Sequence, residues 1–395
     1  MEGADFLGRH LAATTPHPLG ECVVGANGCW IELEGGDRLF DMVSGIGVSA
    51  LGHGHPGVRA AIHGQVDRHL HVMVYGEYAQ AAQDAAASAL IETLQDPLDT
   101  VYFVNSGAEA IEGAIKLARR ATRRNGLVAM EGAYHGGTTG ALALSEPTER
   151  REVFEPLMPG VEHVAVEDFE ALQKIGAQTA AVFAETVQGD AGVVPLSSAY
   201  LQALRSRCDQ TGALLVLDEI QCGLGRTGRT HAFERAGIVP DILCLGKALG
   251  GGLPIGAFVA SRELMAQLSH SPKLGHVTSF GGHPVVTAAS AAFLAALKHE
   301  VDLARVERVG ADWSARLRAH PAVVEVRSAG LMIGVDLASA EHVNRLVEAA
   351  RRRNLLIFWF LSRPIGFRLS PPLNADASEL EEAFAQLLLS LDELG

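Results

Sequence analysis

The feature that most restricts the fold of this chain is an alternation of short apolar runs with helical patterns through its middle. The strand-like runs are TVYFVNSG, GLVAM, TAAVFAETV, GALLVLDEI and DILCLGKAL. The first run precedes a segment with apolar residues at helical spacing, namely Ile111, Ala114, Ile115, Ala118 and Ala121. This alternation predicts an α/β fold with a buried, mostly parallel sheet and helices on both faces.

The length and a change of pattern near the C-terminus predict two domains. A chain of 395 residues exceeds what one hydrophobic core usually supports. The C-terminal part combines the helical EHVNRLVEAARRRN with the strand-like LLIFWF and GFRLSPPL. We therefore expect a large domain at residues 46–291 and a smaller α+β domain formed by residues 1–45 and 292–395.

Charge and composition exclude several classes of protein. A formal net charge of −14 argues against binding to nucleic acid and to anionic membrane surfaces. The chain has no run apolar enough to span a bilayer, and its start, MEGADFLGRH, lacks the apolar region of a secretory signal. Reduced thiols of a cytoplasmic protein are expected from the odd, scattered set of Cys22, Cys29, Cys208, Cys222 and Cys244.

Polar residues follow four of the predicted strands. Ligands of α/β sheets bind at the carboxyl ends of the strands, so these residues are candidates for one site. They are the turn Asn105-Ser106-Gly107, Glu185, the pair Asp218-Glu219, and Lys247. Each of them alone also fits a capped helix or a solvated loop end, whereas their joint occurrence at one edge favours a site.

The turn before the first helix has two interpretations. Ser106 followed by Glu109 is a capping-box pattern, which requires no more than a well-started helix. Gly107, however, permits close approach of a ligand to the backbone. The N–H groups and dipole of a helix that begins near Ala108 would then hold an anion such as phosphate.

Lys247 and Asp218 complete a pattern that indicates pyridoxal phosphate. Lys247 lies in the apolar, glycine-rich run DILCLGKALGGGLPIG, and on its own a surface lysine at a turn is about as good an explanation. Asp218 follows five apolar residues and needs a positive partner, which a protonated pyridine nitrogen provides. Phosphate at a helix start, aspartate on the ring nitrogen and lysine on the aldehyde describe such a site. Lys247 would also carry the substrate proton.

Two other patterns are weaker. GLGRTG, at residues 223–228, fits a dinucleotide fingerprint, but the segment after it is a poor start for a helix. His53 and His55 could be taken as a metal pair. Because glycine and proline flank them and no further ligand is near, a turn is the better interpretation.

The chain resembles class III (subgroup II) aminotransferases of the acetylornithine, ornithine and 4-aminobutyrate type. The resemblance runs over nearly the whole chain. It is carried by DMVSGIGVSALGHGHP, VYFVNSGAEAIEGAIKLAR, AYHGGTTGALALS, AETVQGDAGVVP, HVTSFGGHP and above all LLVLDEIQCGLGRTGRTHAFERAGIVPDILCLGKALGGGLPIGA. It implies aminotransferase fold type I with a seven-stranded sheet, and a homodimer with active sites at the interface.

Carried over residue by residue, the resemblance assigns a role to each matching position. It implies that Lys247 forms the Schiff base and that Asp218 pairs with the pyridine nitrogen. The other expected cofactor contacts are Ser106, Gly107, Ala108, Tyr134, His135, Glu185, Gln221, Thr278 and Ser279, the last two reaching the phosphate of the neighbouring subunit. The expected substrate contacts are Arg368, which would receive the α-carboxylate, with Ile46, Asp190 and Tyr75.

Departures from the family pattern bear on the substrate. Gly137 stands where relatives usually have an arginine that binds a second carboxylate. Asp190 replaces the glutamate that usually masks the substrate arginine, and Ile46 resembles the acetylornithine and 4-aminobutyrate types. Tyr75 or Glu77 is expected towards the substrate entrance.

The expected function is transamination of N-acetylornithine, or a related N-acylated or ω-amino acid, with 2-oxoglutarate. The expected course is ping-pong through pyridoxamine phosphate, and the expected setting is cytoplasmic amino-acid metabolism such as arginine biosynthesis. One alternative is an ω-amino acid or amine:pyruvate aminotransferase, which needs no arginine for a second carboxylate. Another is a pyridoxal-phosphate-dependent racemase or aminomutase on the same fold.

Overall fold

The structure is a computed structural model that describes residues 10–12, 14–15, 18–146 and 149–394. The first nine residues, which carry most of the expectation about a secretory signal, lie outside the described residues. Within the described ranges, no helix is both long and apolar enough to cross a membrane.

The strands found in the described ranges form four sheets. In chain order they are β1 (Val23–Asn27), β2 (Trp30–Leu33), β3 (Arg38–Asp41), β4 (Thr100–Val104), β5 (Gly126–Met130), β6 (Val161–Val164), β7 (Thr179–Glu185), β8 (Val187–Gln188), β9 (Val194–Pro195), β10 (Leu214–Asp218), β11 (Ile242–Gly246), β12 (Gly256–Ala260), β13 (Val323–Ala329), β14 (Met332–Leu337), β15 (Leu355–Leu356), β16 (Phe358–Trp359) and β17 (Gly366–Leu369).

The helices surround these sheets. They are α1 (Ser44–Gly47), α2 (Pro56–Arg68), α3 (Ala81–Ile91), α4 (Gly107–Thr122), α5 (Thr139–Leu144), α6 (Glu149–Glu152), α7 (Ser198–Thr211), α8 (Arg262–Met265), α9 (Pro284–Glu300), α10 (Leu303–Arg318), α11 (Ala340–Arg352) and α12 (Ala377–Asp392).

The largest sheet has seven strands in the order β4-β12-β11-β10-β7-β5-β6. Its pairs are parallel except at β12, which runs antiparallel to both β11 and β4. This confirms the predicted seven-stranded, mostly parallel sheet. Because six strands share one direction, the carboxyl ends of β4, β7, β10 and β11 lie at the same edge of the sheet.

Both faces of this sheet are buried, which explains the continuous apolar runs in the sequence. Successive side chains of a strand point to opposite faces. Thus Ala181 and Phe183 of β7 join the core that contains α4, while Val182 and Ala184 join the core that contains α7. Each large side chain buried in this way contributes roughly 1.5–3 kcal/mol to stability.

The N-terminal and C-terminal parts of the chain meet in the smaller sheets. The first four-stranded sheet has the order β1-β2-β3-β15, and the second has the order β13-β14-β17-β16. β15 pairs in parallel with β3, which ties residues before 45 to residues after 350. The predicted boundary after residue 291 falls inside α9, so a continuous helix connects the two parts, and the domain division stays a prediction.

Candidate active site

Lys247 follows directly after β11, at the carboxyl edge of the large sheet. It begins a short 3₁₀ segment, and its Nζ atom donates to Oε1 of Gln221 at 3.3 Å. Some of its surface remains accessible, yet its ammonium group lies among protein atoms. Desolvation therefore lowers the pKa of Lys247, against the opposing effect of Asp218 and Glu185. This is a suitable environment for a lysine that must act as a free amine.

Asp218, at the end of β10, forms a buried pair with His135. The Oδ2 atom of Asp218 lies 2.8 Å from Nδ1 of His135, and its Oδ1 atom accepts from the Ile220 N–H at 2.9 Å. Burial opposes protonation of His135, but the hydrogen bond and charge of Asp218 outweigh it and raise the pKa of the imidazole. The Nε2 atom of His135 is buried without a partner in the described residues.

Glu185, at the end of β7, holds two loops at the site. Its Oε1 atom accepts from the Tyr134 N–H and its Oε2 atom from the Gly189 N–H, each at 2.9 Å. Burial raises the pKa of Glu185 to about 7, with His135 lowering it and Asp218 raising it. The side chain of Tyr134 is 41% exposed and so remains available to a ligand.

The turn before α4 has the geometry of a helix start packed against the end of β10. Ser106 is the N-cap, and its Oγ atom accepts from the Glu109 N–H at 3.2 Å. A Cβ atom at Gly107 would lie 2.9 Å from the side chain of Ile220, so a larger residue would force either Ile220 or the turn to shift. The first N–H groups of a helix lack intrahelical partners, and those of Gly107 and Ala108 can therefore serve an anion.

Thr278 lies beside this turn within the same chain. Its Oγ1 atom accepts from Nδ2 of Asn105 at 2.7 Å. Ser279, the next residue, is exposed. That these two residues reach the phosphate of a neighbouring subunit stays a prediction.

Arg368, on β17, is buried and paired with Asp190. Its Nη2 atom donates to Oδ1 of Asp190 at 2.9 Å, and its guanidinium lies 4.4 Å from the centre of the Phe360 ring. Desolvation lowers the pKa of Arg368, although Asp190 opposes this. The Nε atom of Arg368 is buried without an acceptor among the described residues. The arginine thus has an N–H group to offer to a carboxylate.

Ile46 lies on a strained turn next to Gln221. Its φ angle is 63°, in the left-handed region that β-branched residues rarely adopt. A Cβ atom at the adjacent Gly47 would lie 3.8 Å from Cγ of Gln221. Backbone strain of this kind is often found at ligand sites, and here the strained turn is adjacent to Gln221, the residue that accepts from Lys247.

Tyr75 lies in a different cavity. This cavity has a volume of about 1060 Å³, and its lining includes Tyr75, Glu77 and Thr278 but not Lys247 or Asp218. Tyr75 is 38% exposed. The expected position of Tyr75 or Glu77 at the substrate entrance stays a prediction.

Comparison with known proteins identifies the family. A model of the aminotransferase class-III family matches residues 12–391. The chain belongs to the class-III aminotransferases. This confirms the resemblance found in the sequence and the fold class that it implied.

Similar curated proteins agree with this assignment. An acetylornithine aminotransferase of Methanopyrus kandleri is 40% identical to this class-III aminotransferase over 363 residues, which are 91% of each chain. The acetylornithine aminotransferase of Gloeobacter violaceus is 38% identical over 372 residues, which are 91% of this chain and 90% of that one.

Solved structures show the same fold. The ornithine aminotransferase from Toxoplasma gondii superposes with a TM-score of 0.90 at 28% identity, over 99% of this chain and 92% of that chain. An amine transaminase from an uncultivated Pseudomonas species, in its pyridoxal-phosphate-bound form, has a TM-score of 0.88 at 26% identity. The match covers 98% of this class-III aminotransferase and all of that chain.

Two weaker patterns of the sequence have other structural explanations. Residues 223–228 form turns, and the next helical segment begins only at Ala232, so the structure lacks the strand-to-helix turn of a dinucleotide site. His53 contacts Asp41, whereas His55 contacts Glu300. No group of three potential metal ligands occurs in the described part of this aminotransferase.

Sequence reasoning missed several residues that shape the site. Ser145 accepts from the His135 N–H at 2.8 Å and so fixes the backbone of that residue. Ser362 donates its hydroxyl to Asp190, and Arg150 lies 3.9 Å from the same carboxylate. Glu219 had been grouped with Asp218, but it turns away and accepts from the Ala232 and Phe233 N–H groups. None of these contacts has a signal in local sequence.

Proposed function

We propose that this class-III aminotransferase uses pyridoxal phosphate held by the residues described above. The support is one arrangement: the desolvated Lys247, the Asp218–His135 pair and the turn at Ser106 lie at one sheet edge. These residues fit pyridoxal phosphate. The turn offers N–H groups to a phosphate, and Asp218 offers a buried carboxylate to a cationic ring nitrogen. When bound, pyridoxal phosphate supplies a ring that accepts electrons from the substrate α-carbon.

The protein residues have distinct tasks in this proposal. The Asp218 carboxylate would lie opposite the cationic ring nitrogen, and the hydrogen bond from His135 orients that carboxylate. Lys247, whose pKa is lowered by desolvation, can take and return a proton through Nζ. Arg368 binds a substrate carboxylate through its N–H groups, and Asp190 competes for the same guanidinium.

The proposed reaction transfers an amino group from N-acetylornithine, or a related N-acylated or ω-amino acid, to 2-oxoglutarate. The support is the name shared by relatives that are 35–40% identical over most of this chain. These relatives are acetylornithine aminotransferases. Ping-pong kinetics are expected, because the enzyme would retain the amino group after the product of the donor leaves, and the acceptor would then bind at Arg368 in its place.

A specific observation favours a second candidate, transfer from an ω-amino acid or amine to pyruvate. Gly137 has no side chain with which to bind a second carboxylate, and the space beside it is open, since a Cβ atom there would meet nothing within 4 Å. The similar amine transaminase structure supports the same alternative.

A half-reaction screen tests the proposal. Single donors, namely N-acetylornithine, ornithine, β-alanine and 4-aminobutyrate, are added to the yellow holoenzyme, and loss of colour is followed before either oxo acid is added. Colour loss with N-acetylornithine and its return with 2-oxoglutarate are expected. Strong turnover with pyruvate and none with 2-oxoglutarate would remove the first candidate in favour of the second. Borohydride reduction and peptide mapping must place the label on Lys247.

We propose a cytoplasmic homodimer with active sites at the subunit interface. The five cysteines are free thiols, which supports a reducing compartment. Exposed apolar side chains near the Thr278 segment, including Leu274, Val277 and Phe280, support a covered surface there. Sedimentation of the holoenzyme tests the assembly, and a monomer that retains full activity would contradict it.

A further inference from the structure

Arg150 occupies an unusual position beside the candidate substrate arginine. It lies on the short helix α6, and its side chain is 33% exposed. Its Nη1 atom is 3.9 Å from Oδ2 of Asp190, which is an ion pair but too long for a hydrogen bond. Among the described residues, no hydrogen bond accompanies this contact, so the guanidinium keeps its N–H donors for another acceptor.

Asp190 lies between two guanidiniums. Arg368 approaches its Oδ1 atom at 2.9 Å, while Arg150 approaches its Oδ2 atom. The N–H of Leu361 and the hydroxyl of Ser362 also donate to this carboxylate. One negative charge therefore faces two positive charges, and an anion that displaces Asp190 from Arg368 meets a second guanidinium just beyond it.

Two other arginines lie near the loop that carries Asp190, but both already form ion pairs with other carboxylates. Arg327 donates to the carbonyl of Gly192, and its charge is paired with Asp336 at 2.7 Å and with Glu325. Arg363 pairs with the same two carboxylates, at 2.5 Å from Asp336 and 3.5 Å from Glu325, so two positive charges face two negative ones. Neither shares the Asp190 carboxylate. Arg150 is thus the better candidate for a second anion contact.

We propose that Arg150 recognises the second carboxylate of a dicarboxylic oxo acid whose first carboxylate binds Arg368. This makes Arg150 a specificity-determining residue, and it rests on the proposed aminotransferase function. Two guanidiniums that bind two carboxylates distinguish a dicarboxylate from a monocarboxylate such as pyruvate. The open space at Gly137 leaves this task to another residue.

A different role for Arg150 makes a different prediction. If Arg150 only held Asp190 in place, its removal would change the binding of every carboxylate at Arg368 in the same way. A second contact point predicts a loss confined to dicarboxylates. The comparison between the two kinds of ligand therefore decides between these roles.

Equilibrium binding to the holoenzyme provides the test. Glutarate, an unreactive dicarboxylate with the carbon skeleton of 2-oxoglutarate, and butyrate, its monocarboxylate counterpart, are titrated by calorimetry. The R150M variant is compared with R151M, since Arg151 is the adjacent residue and contacts the Ala143 carbonyl and His163 instead. R150M is expected to weaken glutarate binding by about tenfold to hundredfold, the effect of losing a charged hydrogen bond. Butyrate binding by R150M and glutarate binding by R151M are expected to stay unchanged.

Two results would overturn the proposal. One is glutarate binding by R150M at wild-type strength, and the other is an equal loss of glutarate and butyrate. Kinetics add a second readout, because R150M should raise the KM for 2-oxoglutarate while kcat and KM with pyruvate stay the same. Glutarate does not react, so its binding reports on Arg150 even if the proposed N-acetylornithine reaction fails.

Discussion

The Nδ1 atom of His135 lies 2.8 Å from Oδ2 of Asp218, and both side chains are buried. This contact joins the end of β10 to the loop after β5, which are far apart in sequence. Because a buried carboxylate needs a partner, His135 governs how Asp218 presents its charge to a ligand.

Replacement of His135 by leucine should weaken the binding of pyridoxal phosphate. The variant leaves Asp218 without the imidazole that holds its Oδ2 atom, so the carboxylate loses the contact that orients it towards a cationic ring. We expect the dissociation constant of the cofactor to rise about tenfold to hundredfold. Absorbance titration of the apoenzyme measures this, and H299L, at an exposed position of α9, is the control. Unchanged cofactor affinity in H135L would contradict the role of this pair.

Glu219 should make stability depend on pH. Burial raises the pKa of this carboxyl from 4.5 to about 7, against hydrogen bonds from Thr186, Ala232 and Phe233 that lower it. The folded state therefore keeps a proton that the unfolded state releases from about pH 4.5 upwards. The free energy of unfolding should fall as the pH rises towards about 7, by an amount on the order of 3 kcal/mol.

The E219Q variant tests this origin of the pH dependence. Because glutamine does not titrate, the fall in unfolding free energy between about pH 4.5 and 7 should become smaller. Some dependence should remain, since the pKa of Glu185 is also raised to about 7. Chemical denaturation of the apoenzyme at several pH values measures the pH dependence of the unfolding free energy. The control is E382Q, on the exposed face of α12. Identical pH dependence in E219Q and wild type would disprove the assignment.

Gly107→Ala should displace the turn before α4. The added Cβ atom would lie 2.9 Å from Ile220, and such overpacking costs about 1–3 kcal/mol of stability. Phosphate binding should weaken as well, because the turn moves away from β10. The I220V change removes the closest atom, so G107A/I220V should recover part of the loss.

The effect of G107A is measured as the change in the free energy of unfolding and in the affinity for the cofactor. Gly137→Ala is the matched control, because a Cβ atom there meets nothing within 4 Å. If G107A and G137A change these two quantities equally, the close approach of Gly107 to Ile220 does not contribute to stability or to cofactor binding.

Gly137→Arg should improve the use of dicarboxylic acceptors. The position has open space, since a Cβ atom there would meet nothing within 4 Å, and the family resemblance of the sequence implies a carboxylate-binding arginine there. We expect the KM for 2-oxoglutarate to fall by about tenfold, the effect of one added charged hydrogen bond. Steady-state kinetics with 2-oxoglutarate and pyruvate measure it, and G64R in α2, also at an open position, controls for added charge. An equal change with both acceptors would argue against a specific contact.

The strand ends that carry Lys247, Asp218 and Glu185 could be predicted from the sequence. Each residue follows an apolar run whose periodicity and length indicate a buried parallel strand. Parallel strands bring their carboxyl ends to one edge, and the structure shows Lys247 directly after β11 and Asp218 and Glu185 as the last residues of β10 and β7. The hypothesis that they form a pyridoxal-phosphate site came from the residue types at that edge.

Other parts of the fold could not be predicted from local pattern. The run LLIFWF suggested one strand, but β15 pairs with β3 while β16 pairs with β17 in another sheet. Pairing with a distant partner, not intrinsic preference, decides where such short segments divide.

The sequence by itself determined the alternating architecture and which side chains stand at the ends of its strands, because periodicity and strand direction are local properties of the chain. Only the tertiary structure decided that His135 meets Asp218, that Ile220 packs on Gly107, and that Arg150 and Arg368 share Asp190. These contacts join segments far apart along the chain. They depend on how whole elements pack, which no short stretch of residues encodes.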